Sequence, residues 1–426
     1  MKIKKISLSY GFLINVFWLA LLLGYLFLSQ FAPGRETVYS THAFMLLFVS
    51  LVLLVSARAI SNKLLLIPKF PIIVYLYFSI LPFLIIATVF GLDYKGVSEL
   101  GGGLNNLIYQ VIFIMFLGYY VLVNKVDREG MAVGFAYLFI AYSFISTFFA
   151  IQLFLTGSIL SGPFLIESNR WPQLYGWFQS PNFYVNAIAL SFFGAIYLYL
   201  KKGFSFMRLL SVIFFGLAIV LSGSKGGMLV AFFAVLLFYY LSLFVHPSAK
   251  QLVIFLKVHL ALVFSIFLGL LTLIFYLNSL GLNIEWLTRS VIRIQSAGDG
   301  TGRLDLWSNS LAILLDANIW QLLFGHGNNY IIATYGASTH NGHLKMIVEN
   351  GIVSYVVLWF LFLFAMYRVI KISSSSRSLA FLLFTSLFYV WFRPLFNAGL
   401  FSAGILGFTF IWILFMVSLK EKKAKI

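Results

Sequence analysis

The sequence contains no cysteine. Disulfides and thiolate metal sites are therefore excluded, and any segment outside a membrane must be held by packing and hydrogen bonds. Charge is also scarce: only 10% of the 426 residues are Asp, Glu, Lys or Arg, and 12 acids face 29 bases. The remainder is apolar, with 62% hydrophobic residues and a mean hydropathy of +0.99. A soluble domain of this composition would expose large apolar patches, so soluble enzymes and soluble binding modules drop out. No repeat at a solenoid period is visible, and the only low-complexity tract is Ser373–Ser376.

Long apolar runs recur from one end of the chain to the other. A helix crosses the hydrocarbon core in about 20 residues, so the runs predict an all-α membrane protein of about twelve transmembrane helices. The expected spans are 10–29, 41–57, 71–92, 105–123, 131–156, 182–200, 209–223, 227–245, 258–280, 344–367, 378–397 and 399–419. Together they make 1–426 a single polytopic membrane domain. The first run follows Met1-Lys-Ile-Lys-Lys5, but it is too long for a signal peptide and no small-residue cleavage pattern follows. It reads as an uncleaved span.

Basic residues are retained on the cytoplasmic side, which sets the orientation. With both termini inside, the cytoplasmic segments hold 20 of the 29 Lys and Arg residues, among them Lys201, Lys202, Arg208, Arg368, Lys371 and Arg377. Those segments also carry the whole net charge of +17 once Asp127, Glu129 and Glu421 are counted. The basic balance is thus topological, and no nucleic-acid partner is implied. Two segments expected outside are long, 157–181 and 281–343, and both are rich in Trp and other apolar residues. Long loops of that kind are usually functional. In the second, Leu304, Trp307, Leu311 and Leu314 recur at helical spacing after Thr301. They predict an amphipathic helix lying along the membrane surface.

Four arginines of these loops are candidates for binding phosphate: Arg170, Arg289, Arg293 and Arg303. A guanidinium stays charged and grips phosphate oxygens bidentately, so several converging would hold a diphosphate. The competing reading is ordinary surface or headgroup charge. His340 stands in Ser338-Thr-His-Asn-Gly-His-Leu344, where the second loop enters a span. Imidazole accepts a proton near neutral pH and suits a general base, although a lone histidine is more often structural. His326, in Gly325-His-Gly327, is the second candidate base. His340 and His343 lack the HExxH pattern of a metal site. Asp299-Gly-Thr-Gly-Arg-Leu-Asp305 lacks the close acidic pair that holds Mg²⁺. No metal or other cofactor is expected. Ser222-Gly-Ser-Lys225 matches S-x-x-K, but the companion motifs of penicillin-binding enzymes are missing. It reads as a helix–turn–helix reversal in which Gly223, Gly226 and Gly227 permit close approach and Lys225 adds charge.

Three stretches together resemble the bacterial O-antigen ligase and O-antigen polymerase superfamily. One runs from Arg170-Trp171 to Phe178-Gln-Ser-Pro-Asn182, and another is Leu221-Ser-Gly-Ser-Lys-Gly-Gly227, with Lys225 where the family has Arg. The third joins Thr301-Gly-Arg-Leu-Asp-Leu-Trp307, Gly325-His-Gly327, His340-Asn341 and Gly351. The resemblance covers about a third of the chain. It implies glycosyl transfer at the outer face of the bacterial plasma membrane, from a polyprenyl-diphosphate-linked glycan to a sugar hydroxyl. Arg170 and Arg303 would then neutralise the diphosphate leaving group and His340 would accept the acceptor's proton, with Lys225, Arg289, Arg293, Asn341 and Asn182 in support. The implied partners are the glycan donor and acceptor, membrane lipids, a chain-length regulator and a flippase. Polymerase is the preferred reading. Ligase, with a lipid A core sugar as acceptor, is the alternative, and a secondary transporter or lipid-linked glycan flippase is the alternative of another class. For the latter the candidates for mid-span charge are few: His259 and Arg393 lie near expected span ends, with Arg393, in Phe392-Arg-Pro394, placed where it could face a cavity.

Overall fold

The computed structural model describes residues 111–117, 127–156, 158–159, 166–167, 174–178, 180–245, 303–327, 330–336, 339–396 and 405–419, with Val49. The expected spans at 10–29, 71–92 and 258–280 lie outside the described residues, as does 41–57 apart from Val49; of 105–123 only the helical stretch 111–117 is described. What is described is helical, apart from one antiparallel pair of two-residue strands. These are β1 (Ser158–Ile159) and β2 (Ile166–Glu167), inside the first long loop.

The helices follow the apolar runs: α1 Arg128–Thr156, α2 Pro181–Lys202, α3 Phe206–Leu221, α4 Lys225–Val245, α5 Arg303–Asp316, α6 Ile319–Phe324, α7 Tyr330–Tyr335, α8 Gly342–Ser373, α9 Arg377–Phe392 and α10 Ile405–Ser418. Five of them, α1, α2, α4, α8 and α9 with the turn after it, are long and apolar enough to cross a membrane. The 22 residues of α2 span about 33 Å, the thickness of a hydrocarbon core. α3 and α10, with 16 and 14 residues, fall short of it.

α2 and α9 are the centre of the bundle, each with 83% of its apolar window buried, against 33% for α8. α9 packs on α2, α4, α8 and α10, and α2 on α1 and α3. Small residues let α1 and α2 approach: a Cβ on Gly194 would lie 3.2 Å from Ala136 Cα. Hydroxyls then join the two helices, Ser191 Oγ to Ser143 Oγ at 2.5 Å and Thr147 to Tyr184 at 2.8 Å. The outward faces are apolar as well. Phe144, Phe148 and Leu155 of α1, Leu229, Phe233 and Leu236 of α4, and Val356, Phe360 and Leu363 of α8 are all exposed. Such faces are stable in a bilayer and not in water.

The charged residues sort to the two ends. At one end, the start of α1 meets the ends of α2 and α10 and the start of α9. There Lys201 pairs with Glu129, Arg128 donates to the Leu419 carbonyl, Ser376 donates to Glu129 at 2.9 Å, and Arg368 donates to the Val417 carbonyl at 3.2 Å. Successive helices run up and down, so the starts of α2, α4 and α8 and the end of α9 lie at the other end. The candidate site is there.

Candidate functional site

Pro394 has no N–H to give, and α9 stops at Phe392 and tightens into a 3₁₀ turn, Arg393–Phe396. The turn leaves Arg393 with no exposed surface. Its Nε donates to Asn186 Oδ1 at 3.2 Å, and its Nη2 donates to Asn182 Oδ1 at 3.0 Å and to Ser224 Oγ at 3.3 Å. Ser224 in turn donates to Asn182 Oδ1 at 2.6 Å, and Tyr389 to Asn186 Oδ1 at 3.1 Å. Asn182 and Asn186 stand one turn apart on α2, so both amide oxygens face the same guanidinium. The Nη1 atom is buried and has no hydrogen-bond partner among the described residues.

The reversal between α3 and α4 supplies Ser224. It is a helix–turn–helix, as its sequence implies, and a Cβ on Gly226 would come within 2.7 Å of the Phe396 ring, so glycine lets the 3₁₀ turn settle on α4. Lys225 is exposed at the first position of α4, where the helix dipole disfavours a cation.

His340 sits at the entry to α8. Asn341 caps the helix, its Oδ1 accepting from the His343 and Leu344 amides at 3.1 Å. Thr339 braces the cap, accepting from the Asn341 amide at 3.1 Å and donating to the Asn341 carbonyl at 2.9 Å. Trp307 of α5 donates its indole N–H to the Thr339 carbonyl at 3.0 Å. Between these fixed neighbours His340 alone is exposed, and it is the one non-glycine residue with positive φ (51°) among the described residues. A left-handed histidine held by its surroundings is a strained position, of the kind that clusters at functional sites. Partial desolvation, and then the positive charge of Arg303, push the His340 pKa below the ordinary imidazole value. Arg303, the first residue of α5, is also electrostatically coupled to Arg393. One guanidinium thus links the exposed imidazole to the buried arginine.

The other two histidines among the described residues have different surroundings. His343 is buried, its Nε2 2.8 Å from the Trp391 carbonyl and its Nδ1 3.2 Å from the Tyr355 hydroxyl. A carbonyl only accepts, so Nε2 carries the proton and Nδ1 accepts from Tyr355. Both nitrogens are occupied within the helix packing. His326 is buried too, with Nδ1 3.2 Å from the Val348 carbonyl, and burial lowers its pKa. The backbone around it closes a break in α8. Gly351 has φ 78°, which frees the carbonyls of Val348 and Glu349 from the helix ladder. The amides of His326 and Gly327 occupy them at 2.9 and 3.0 Å. The backbones touch so closely that a Cβ on Gly325 would strike the Glu349 carbonyl, and one on Gly351 the Leu323 carbonyl. The Gly325-His-Gly327 turn is therefore a splint for a broken helix.

Of the residues singled out in the sequence, Asn182, Lys225, Arg303, His340 and Asn341 all lie at this end of the bundle. Arg170, Arg289 and Arg293 lie outside the described residues. The helix expected after Thr301 begins at Arg303, and it packs through Ser310 and Ile313 while Leu304 and Leu311 are exposed. Sequence reasoning missed Ser224 and Asn186, and it treated Arg393 as a charge near a span end. The available signal was an arginine at the end of an apolar run followed by proline. No trio of His, Asp and Glu suited to a metal converges among the described residues. No protein-family model matches the sequence, and no curated protein matches it.

Proposed function

We propose that the chain is a membrane glycosyltransferase that polymerises polyprenyl-diphosphate-linked oligosaccharide units at the outer face of a bacterial plasma membrane. The observation that carries this reading is the placement of an exposed, strained His340 within the field of Arg303, at the end of the bundle away from Lys201, Lys202, Arg208, Arg368, Lys371 and Arg377. By the retention of basic residues on the cytoplasmic side, that end is the external one, and the full count of about twelve spans brings both termini inside.

In the proposed reaction an acceptor hydroxyl attacks the anomeric carbon of the donor glycan. The carbon–oxygen bond to the diphosphate breaks, and the diphosphate leaves with the bonding electrons. His340 Nε2 or Nδ1 takes the hydroxyl proton, and Arg303 stabilises the charge that grows on the leaving group. The lowered pKa keeps His340 neutral and able to accept. Lys225, and Arg170, Arg289 and Arg293 of the external loops, add positive charge for the donor. Ligase chemistry differs only in the acceptor, a lipid A core sugar, and the same residues serve it.

The test is extension of a lipid-linked glycan by the purified protein with no ion gradient imposed, comparing the parent with His340→Gln. Extension by the parent and its loss in the variant is the expected result. Glycan movement that needs a gradient, with no new glycosidic bond, would make the chain a transporter or flippase.

A further inference from the structure

We infer that Arg393 is the buried arm of an oxyanion site for a phosphoryl group, with Arg303 as its second cation. The inference rests on the glycosyl-transfer reading only for the source of that group, the donor diphosphate. Arg393 is wholly buried, yet the atoms bonded to it are neutral: two amide oxygens and a hydroxyl. No carboxylate pairs with it among the described residues, and Arg303, which is electrostatically coupled to it, is of the same sign.

A buried cation with no carboxylate beside it is costly, and removing such a charge is often stabilising. The protein retains it, and holds it in one orientation. Asn182, Asn186 and Ser224 fix the Nε and Nη2 side of the plane, with the amide oxygens of Asn182 and Asn186 steadied by Ser224 and Tyr389. The Nη1 donors are left with no described partner. Two guanidiniums, one with spare donors, match a multiply charged tetrahedral oxyanion better than a single carboxylate. The three amide and hydroxyl groups are then positioning residues, which aim Arg393 without touching the ligand.

The full-length protein in detergent is titrated with inorganic pyrophosphate while its melting temperature is followed. The parent should be stabilised in a saturable way. Arg393→Met should melt at or above the parental temperature without ligand, yet bind pyrophosphate about 10- to 100-fold more weakly. A merely structural arginine predicts the reverse, a less stable variant with an unchanged response. Should Arg393→Met fail to fold, Arg393→Lys decides, because a point charge should also lose about tenfold. Repeating the titration in nanodiscs of phosphatidylcholine with or without phosphatidylglycerol separates the sources. Competition by phosphatidylglycerol assigns the site to a lipid headgroup, and an unchanged titration assigns it to the donor. No response in the parent, or parental affinity in the folded variant, overturns the site. Loss of glycan extension in His340→Gln would leave the functional reading standing even then, and a parental rate there would fell that reading without touching the pyrophosphate result.

Discussion

Trp307 donates its indole hydrogen to the carbonyl of Thr339 at 3.0 Å, across 32 residues of sequence. This bond ties α5 to the loop that presents His340. Replacing Trp307 by Phe keeps the ring but removes a bond worth about 1 kcal/mol. Loosening the base should cost about tenfold in kcat, with KM little changed, because a small misplacement falls on the chemical step. Steady-state kinetics of glycan extension checks it, and an unchanged kcat would free His340 from this support.

His340 itself separates strain from chemistry. The left-handed conformation costs a side-chain-bearing residue about 1–2 kcal/mol, and glycine costs about 0.5–1 kcal/mol in chain entropy. His340→Gly should therefore fold with stability within about 1 kcal/mol of the parent. Its rate should fall by about 10²–10⁴, the loss expected of a removed base. Thermal melts and extension assays on the same preparation read both, and a fully active glycine variant would remove His340 from the reaction.

The acidic limb of the pH–rate profile should lie below about 6.5, the ordinary imidazole value. Desolvation and Arg303 both lower the His340 pKa. Arg303→Gln removes one of these causes, so the limb of the residual activity should move up towards that value. Stability follows the same groups. With folded pKa values depressed at His340 and His326, the unfolded chain binds more protons on acidification. Stability should thus be full above about pH 6.5, fall as pH drops from there to the lowered pKa values, and then level off. A limb that ignores Arg303 would break the coupling.

His343 should behave as a structural residue. His343→Ala leaves the Trp391 carbonyl and the Tyr355 hydroxyl without their partner, a cost of about 1–3 kcal/mol. The variant should lose melting temperature but keep most of its rate per folded molecule. Abundance-corrected kinetics tests this, and a rate loss equal to that of the His340 variants would reassign the base.

The orientation is open to a direct check. A reporter active only outside the cytoplasm should be active when fused near Asn318 and silent near Ser374. The opposite pattern would invert the topology that the basic residues imply.

Much of the fold is legible in the sequence because lipid-spanning helices need long apolar runs and visible ends. The expected 182–200 became Pro181–Lys202, with Pro181 at the first turn and lysines at the last. The expected 227–245 became Lys225–Val245, and the loop helix starts two residues after Thr301. What stayed hidden was contact between distant segments. Arg393 and Asn182 are 211 residues apart and Arg393 and Ser224 are 169 apart, and no periodicity encodes such a meeting. The break at Gly351 was hidden for a related reason. The expected span 344–367 runs straight through it, and its compensation comes from amides of the preceding loop.

That splinted break also constrains how the chain can diverge. Gly325 and Gly351 each lie against the other's backbone neighbourhood, so a methyl group added to one cannot be accommodated by shrinking the other. Neither position has a compensating partner through which drift can proceed. Insertions and deletions between Gly327 and Asn341, by contrast, change the length of a segment whose two ends are pinned, by the Val348 and Glu349 carbonyls and by the Asn341 cap. Under the proposed glycosyl transfer, related chains with different acceptors should vary in length between Gly327 and Thr339 and hold both glycines fixed.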